Sequence, residues 1–155
     1  MERHDFRTQR LYTEADLAAQ ARIATDPSQA NYLLNVLRMK SGAHVLLFNG
    51  RDGEWLAQVE RGGRKACDLL VLHRTRDQTR PGDLWYLFAP LKQARLDYMV
   101  QKAVEMGVSR LVPVLTRHTQ IGRVNERRMH ANAVEAAEQC GVLALPQLEQ
   151  AQKLD

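Results

Sequence analysis

Three cations in the front part of the chain have the chemistry to hold an anionic polymer: Arg10, Arg38 and Lys40. An arginine fork meets phosphate oxygens through two hydrogen bonds and also stacks on unpaired bases, whereas a lysine supplies a point charge. The alternative for each of them is a solvated surface charge. A net charge of +4 over 155 residues favours an anionic partner, because cations near phosphates release condensed counterions.

A second set of charged side chains lies in the back half of the chain: Lys92, Lys102, Glu105 and Arg117. The pattern places them near the ligand-binding edge of an α/β sheet. Lys102 and Glu105 lie three residues apart on a predicted helix, so a surface ion pair is the alternative for both. Arg117 follows the carboxyl end of a predicted strand, and we favour it most among the four.

The elements of the front part predict a small antiparallel β-domain with a helix beside it. Glycine-bearing turns at 50–53 and 61–64 are hairpin signals. A helix begins at Asp26-Pro27, with Gln29 three residues after the cap, buries Leu33, Val36 and Leu37, and ends at Gly42. The other predicted elements are strands at 10–13, 44–49, 54–60 and 65–73 and a helix at 14–23.

The back part predicts a parallel α/β sheet. Residues 74–83 are charged and contain Pro81-Gly82, which indicates a linker. Strands are predicted at 84–89, buried on both faces, and at 111–115, with a possible third beginning at 146–148; helices are predicted at 93–106 and 125–140. The domains expected are therefore 1–76 and 77–155.

The order of motifs along nearly the whole chain resembles the RsmE family. The most specific match is 101–108 (QKAVEMGV), which is similar to the family's QKATELGV, followed by 135–141 (EAAEQCG). Further matches are Arg10-Leu11-Tyr12, 31–38 (NYLLNVLR), 47–50 (LFNG) with Gly53-Glu54, and Pro113 with 116–119 (TRHT). The chain departs from the family at Val142, where many members have arginine, and at Asn31-Tyr32, where many have two histidines.

The resemblance implies a PUA-like antiparallel β-barrel followed by the first half of a SPOUT domain, a parallel α/β fold with a trefoil knot. It implies S-adenosylmethionine-dependent methylation of N3 of a uridine in the 16S rRNA of the small ribosomal subunit, by a homodimer joined through the SPOUT domain. Under this reading Arg10, Arg38, Lys40 and Lys92 bind RNA. The catalytic candidates are Arg117, Lys102 and Glu105, and no residue is assigned as the general base.

The family's methyl-donor loops have no counterpart before Asp155. These loops are a Gly-Pro-Glu-Gly-Gly stretch and a later Leu-Gly-x-x-Ile-Leu-Arg stretch. The sequence also lacks the GxGxxG loop of the other, Rossmann-type, methyltransferases. We therefore expect a truncated member of the family, with the cofactor site C-terminal to Asp155 and with no activity in this chain alone.

Composition and spacing exclude several other classes of protein. No apolar run approaches the length of a membrane span and the start is too polar for a signal peptide, so we expect a cytoplasmic protein. Two cysteines and five histidines lack metal-ligand spacing, so no metal is expected. Two alternatives remain open: a non-catalytic RNA-docking module, and an α/β protein that binds a small molecule.

Overall fold

The computed structural model describes residues 7–63, 65–119 and 122–154, and the chain divides into a first unit, Met1–Thr79, and a second unit, Arg80–Asp155. This division lies three residues after the domain boundary predicted from the sequence. Arg64, at the end of the predicted turn 61–64, lies outside the described residues, as does Asp155.

The first unit is built on a five-stranded sheet. Its elements are β1 (Arg10–Tyr12), β2 (Arg22–Ala24), α1 (Pro27–Asn31), a π-helix (Tyr32–Val36), β3 (His44–Phe48), β4 (Glu54–Arg61) and β5 (Cys67–Arg76). The strand order is β1-β3-β4-β5-β2, antiparallel throughout except for the pairing of β1 with β3. The predicted PUA-like antiparallel sheet is confirmed.

Alternating side chains of the sheet form one core with the helical segment. Val45, Val59 and Val71 are fully buried on the inner face, and Leu33 of the π-helix packs among them. The period-two pattern of β4 and β5 therefore reflects one covered face and one solvated face. At the β3–β4 turn, Gly53 adopts a φ of +84°, and a Cβ there would collide with the Arg76 backbone oxygen.

The helix predicted at 14–23 is wrong, because long-range contacts hold that segment in an irregular path. The backbone N–H of Leu17 donates to Asp52 Oδ2 at 2.9 Å, and Leu17 itself is buried. The Gln20 N–H donates to the Val71 carbonyl at 2.9 Å with a left-handed φ of +68° at Gln20. Tertiary hydrogen bonds thus override the helix propensity of this stretch.

The helix predicted at Asp26 is confirmed at its start and differs at its end. Asp26 and Gln29 form a reciprocal capping box. Beyond Asn31 the chain winds as a π-helix, which adds a residue to the turn and shifts the side chains that follow. Val36 and Leu37 are therefore exposed and not part of the predicted apolar face.

The second unit has a parallel sheet. Its elements are β6 (Trp85–Phe88), α2 (Gln93–Glu105), β7 (Arg110–Leu115), α3 (Glu126–Cys140), β8 (Gln147–Leu148) and β9 (Gln152–Lys153). β7 is central, with β6 on one side and β8 on the other, and β9 continues alongside β7. The predicted strand–helix alternation and the predicted third strand are confirmed.

The two helices of the second unit pack against each other and bury apolar faces of helical spacing. Leu96 and Val100 of α2 are buried, as are Met129 and Ala133 of α3. Strand–helix–strand crossovers are right-handed, so both helices lie on the same face of the sheet. Among the described residues of the second unit, no helix lies on the opposite face.

β6 is an edge strand, which contradicts the prediction that it is buried on both faces. Its only strand partner among the described residues is β7, and Trp85, Tyr86 and Leu87 are 50%, 40% and 57% exposed. An apolar run does not distinguish a central strand from an edge strand, because neighbours in the sheet are set by topology.

In the segments that the structure describes, no helix has the length and apolar character needed to cross a membrane. The same residues contain no cluster of histidine, cysteine, aspartate or glutamate suited to a metal ion; His4 lies outside them.

Candidate nucleic-acid interface

A cavity of about 480 Å³ lies at the carboxyl ends of β6 and β7. The two strands run parallel, so their carboxyl ends share one edge of the sheet, and α2 begins at the same edge. Open α/β sheets bind ligands in this place. The lining residues are Ala89, Pro90, Leu91, Lys92, Arg95, Thr116, His118 and Thr119. We call this the strand-end cavity.

The strand-end cavity is cationic. Lys92 and Arg95 come from the start of α2, His118 comes from the segment after β7, and no carboxylate is among the lining residues. Within the described part of the chain, none of these three side chains forms an ion pair. The charges of Lys92 and Arg95 and the ring nitrogens of His118 are therefore available to a ligand.

Two cations elsewhere in the second unit are neutralised by carboxylates. Arg110 lies 2.9 Å from Glu149, and Arg128 lies 2.7 Å from Asp97. These two arginines are paired with carboxylates, whereas Lys92 and Arg95 of the strand-end cavity, in the same unit, are not.

Arg117 lies in a turn beside the strand-end cavity but does not line it. Thr119 Oγ1 accepts a hydrogen bond from the Thr116 N–H at 2.7 Å, and the Thr119 N–H donates to the Thr116 carbonyl at 3.1 Å. These bonds fix the backbone on either side of Arg117, whose side chain is exposed. The structure thus brings Lys92 and Arg117 to the same edge, as expected from sequence.

Lys102 and Glu105 lie at the other end of α2. Ten residues separate Lys92 from Lys102, which is about 15 Å along a helix axis. Lys102 Nζ lies 2.8 Å from Glu105 Oε2, and this hydrogen bond raises the pKa of Lys102 above its usual value. The geometry matches the alternative of a surface ion pair, and it argues against a catalytic role beside Arg117.

An apolar groove lies next to that ion pair. Its volume is about 370 Å³, and its lining residues are Tyr86, Tyr98, Met99, Lys102, Ala103, Met106 and Val108. Tyr98 is 64% exposed and Met106 is 77% exposed. A groove of this composition suits a protein surface better than a phosphate.

In the first unit, Arg38 and Lys40 follow the π-helix and are exposed. Arg38 has a left-handed φ of +54°, which is uncommon for a residue with a side chain. Val36 beside it is 61% exposed. The segment therefore presents two cations next to apolar surface, a combination that suits the phosphates and bases of single-stranded RNA.

Arg10 does not belong to this surface, and its predicted RNA contact is not supported. Its side chain is buried, its Nε lies 2.8 Å from Glu54 Oε2, and its guanidinium carbon lies 4.3 Å from the centre of the Phe48 ring. Arg76, expected to be part of the linker, belongs to β5 and lies 3.5 Å from the same Glu54 oxygen. Arg10 is thus a structural residue of the sheet.

Sequence reasoning missed Arg95 and His118 as members of the strand-end cavity. His118 was considered only as a metal ligand, and Arg95 lies between apolar helix positions. The available signal for Arg95 was its spacing of three residues from Lys92, which puts the two cations on one side of the first helical turn.

Comparison with known proteins identifies the family. Residues 78–155 match the model of an RNA methyltransferase domain, and residues 25–72 match the model of an RNA methyltransferase PUA domain. The chain belongs to this RNA methyltransferase family. A relative from Rickettsia conorii, named ribosomal RNA small subunit methyltransferase E, is 31% identical over 144 residues. That alignment covers 92% of this chain and 59% of the relative.

Solved structures of two methyltransferases share the fold. A methyltransferase from Legionella pneumophila, in complex with its cofactor SAM, is 26% identical with a TM-score of 0.81, over 96% of this chain and 63% of that protein. A ribosomal RNA small subunit methyltransferase E from Neisseria gonorrhoeae, bound to S-adenosyl methionine, is 24% identical with a TM-score of 0.83, over 94% of this chain and 62% of that protein. The chain thus spans about three fifths of the length of these relatives.

Proposed function

We propose that this protein acts in the methylation of N3 of a uridine in 16S rRNA, within the small ribosomal subunit, and that it works in the cytoplasm. The observation that carries the proposal is the match of both units to domains of one family, the PUA domain and the RNA methyltransferase domain. The strand-end cavity and the Arg38–Lys40 segment supply exposed cations in each unit, as RNA binding requires.

In this proposal Arg38, Lys40 and Lys92 bind the RNA backbone, and Arg117 acts on the target base. Loss of the N3 proton from uridine leaves negative charge spread over N3 and the neighbouring carbonyl oxygens. A guanidinium held beside the base stabilises that charge as it develops. The fixed turn between Thr116 and Thr119 gives Arg117 a defined position for this role.

The methyl donor implied by the family is S-adenosylmethionine, and the strand-end cavity does not fit it. The donor carries a sulfonium, an ammonium and one carboxylate group, so its net charge is positive, whereas the cavity is lined by Lys92, Arg95 and His118 and has no carboxylate among its lining residues to receive the two positive groups. Like charges in one site repel. We therefore assign this cavity to the RNA and assign no described residue to the donor.

We also propose that the second unit forms a homodimer. The apolar groove at Tyr98 and Met106 and the bare face of β6 expose large hydrophobic side chains, and contiguous apolar surface of this kind marks protein interfaces.

The test is genetic and chemical. The gene for this protein is deleted in its own organism, and 3-methyluridine in 16S rRNA is measured by mass spectrometry of nucleosides. We expect the modification to disappear and to return with a wild-type copy. With Arg117→Gln, the full-length product of the gene is expected to methylate small subunits isolated from the deletion strain about a hundredfold more slowly.

The matched control is Arg61→Gln, which removes an exposed cation of β4 in the first unit, outside the proposed interface. This copy is expected to restore the modification fully. Persistence of 3-methyluridine after deletion of the gene would refute the proposed function.

A further inference from the structure

The shape and the lining of the strand-end cavity predict a more specific ligand than RNA in general. Two cations, Lys92 and Arg95, come from the start of α2, and the His118 side chain comes from the segment after β7; the three line one volume of about 480 Å³. This volume lies within the range of about 300–1,000 Å³ that is typical of small-ligand sites. A solvated cationic surface does not require such a concave arrangement.

The lining divides into a cationic side and an apolar side. Lys92, Arg95 and His118 supply donors, while Pro90 and Leu91 supply apolar surface, with Leu91 39% exposed. A phosphate group matches the first side, and a ribose or base matches the second. The ligand class that combines both is a nucleotide.

The backbone at the start of α2 adds to the positive field. A lysine side chain has no acceptor with which to cap a helix, and Lys92 is the residue at the N-cap. The first turn of α2 contains no acidic residue. The first peptide N–H groups of a helix and its dipole favour an anion in this position.

Another cavity of the unit lacks these features. It measures about 590 Å³ at the start of α3, where Glu126 lies between Arg123 and Arg127 and the side chain of Asn125 already caps the helix. Its charges are mixed, so it has no comparable preference for an anion.

We propose that Lys92, Arg95 and His118 form a phosphate subsite that holds one nucleotide phosphate of the RNA. This inference rests on the proposed function, because it names the part of the RNA that this site recognises. The subsite fixes the RNA backbone next to the target uridine. The position of the phosphate then places the base beside Arg117, without sequence-specific hydrogen bonds in this cavity.

The experiment is an amide NMR titration of the 155-residue chain with three separate probes: uridine 5′-monophosphate, uridine and inorganic phosphate. We expect saturable shifts from the monophosphate at the amides of Lys92, Arg95 and Thr116–Thr119. Uridine and inorganic phosphate are each expected to bind at least about tenfold more weakly, because each fills one side of the cavity.

Three variants test the cations. Lys92→Gln and Arg95→Gln are each expected to weaken the binding of the monophosphate about three- to tenfold, as for loss of one charge-assisted hydrogen bond. Arg95→Lys keeps the charge and is expected to retain most of the affinity. Arg127→Gln, on α3, is the matched control and is expected to bind like the wild type, and the amide spectrum of each variant verifies its fold.

Each opposite result overturns the subsite. Equal binding of uridine and the monophosphate would show that the phosphate is not recognised, and equal binding of inorganic phosphate would indicate a site for the free ion. An equal loss in Arg127→Gln would show attraction to overall charge. If the titration fails while deletion of the gene removes 3-methyluridine, only the subsite is wrong; if the monophosphate binds and the modification persists after deletion, only the proposed function is wrong.

Discussion

At the scale of single residues, burial decides which charged side chains a ligand can reach. Glu54 is 4% exposed and sits between two arginines, Arg10 at 2.8 Å and Arg76 at 3.5 Å, while the Thr75 hydroxyl donates to its Oε1 at 3.1 Å. The carboxylate compensates the buried charge of Arg10. Removing one member of such a cluster leaves the other charges buried without compensation.

We therefore predict that Glu54→Gln destabilises the first unit strongly. The free energy of unfolding is expected to fall by about 3–5 kcal/mol. Urea denaturation, followed through the amide signals of β3–β5, measures this change.

The control is Glu60→Gln. Glu60 pairs with Arg22 on the surface, where solvent screens the interaction. Its loss is expected to cost at most about 1 kcal/mol. Similar losses in the two variants would contradict the role assigned to Glu54.

At the scale of elements, a single carboxylate joins the two helices of the second unit. Asp97 on α2 accepts hydrogen bonds from Arg128 at 2.7 Å and from Asn132 at 2.7 Å, both on α3, and from Gln93 at 2.7 Å on its own helix. These bonds favour the ionised form. They hold the pKa of Asp97 below its usual value, with Arg128 as the main cause and burial as a smaller opposing effect.

The lowered pKa predicts an acid-sensitive contact between α2 and α3. A carboxylate with a lower pKa in the folded state adds stability above its unfolded pKa, which is about 3.9, and that stability is lost as the pH falls through the folded pKa. We expect the urea midpoint of the second unit to fall in this acid range. In Asp97→Asn the midpoint is expected to be lower at neutral pH and to depend less on pH.

Asp83→Asn serves as the control, since it removes an exposed carboxylate of the same unit. Its urea midpoint is expected to follow the wild-type profile. If Asp97→Asn shows the full acid dependence of the wild type, Asp97 does not couple the helices in the proposed way.

At the scale of the whole molecule, the second unit exposes several large apolar side chains to solvent. Trp85 and Leu87 lie on the strand face turned away from α2, while Tyr98 and Met106 line the groove on the helix side. Side chains of this kind are commonly covered by another chain.

We predict that the protein sediments as a dimer and that Met106→Lys weakens the association. A charge placed in an apolar contact loses solvation, so the dissociation constant is expected to rise at least about tenfold. Sedimentation velocity over a range of concentrations measures it.

Val36→Lys is the matched control, because Val36 is 61% exposed in the first unit and outside the groove. This variant is expected to dimerise like the wild type. A wild-type protein that remains a monomer at every concentration would contradict the proposed dimer.

The sequence by itself determined the elements whose signals are local. The capping box of Asp26 and Gln29 and the hairpin turn at 50–53 each depend on residues near one another in the chain. Local hydrogen bonds and turn residues act within a few positions of the chain, so their effects can be predicted without knowledge of the tertiary structure. The motif order also predicted the family correctly.

Only the tertiary structure decided which charges are available and which strands are edges. Arg10 and Lys92 were both predicted from the sequence to bind RNA. Glu54 compensates the buried charge of Arg10, whereas Lys92 lines a cavity with His118. Leu17 is held by Asp52, and β6 has a neighbour on one side only within the described sheet. The physical reason is the same in each case: burial and charge compensation depend on partners that are distant in the chain, and only the folded topology brings them together.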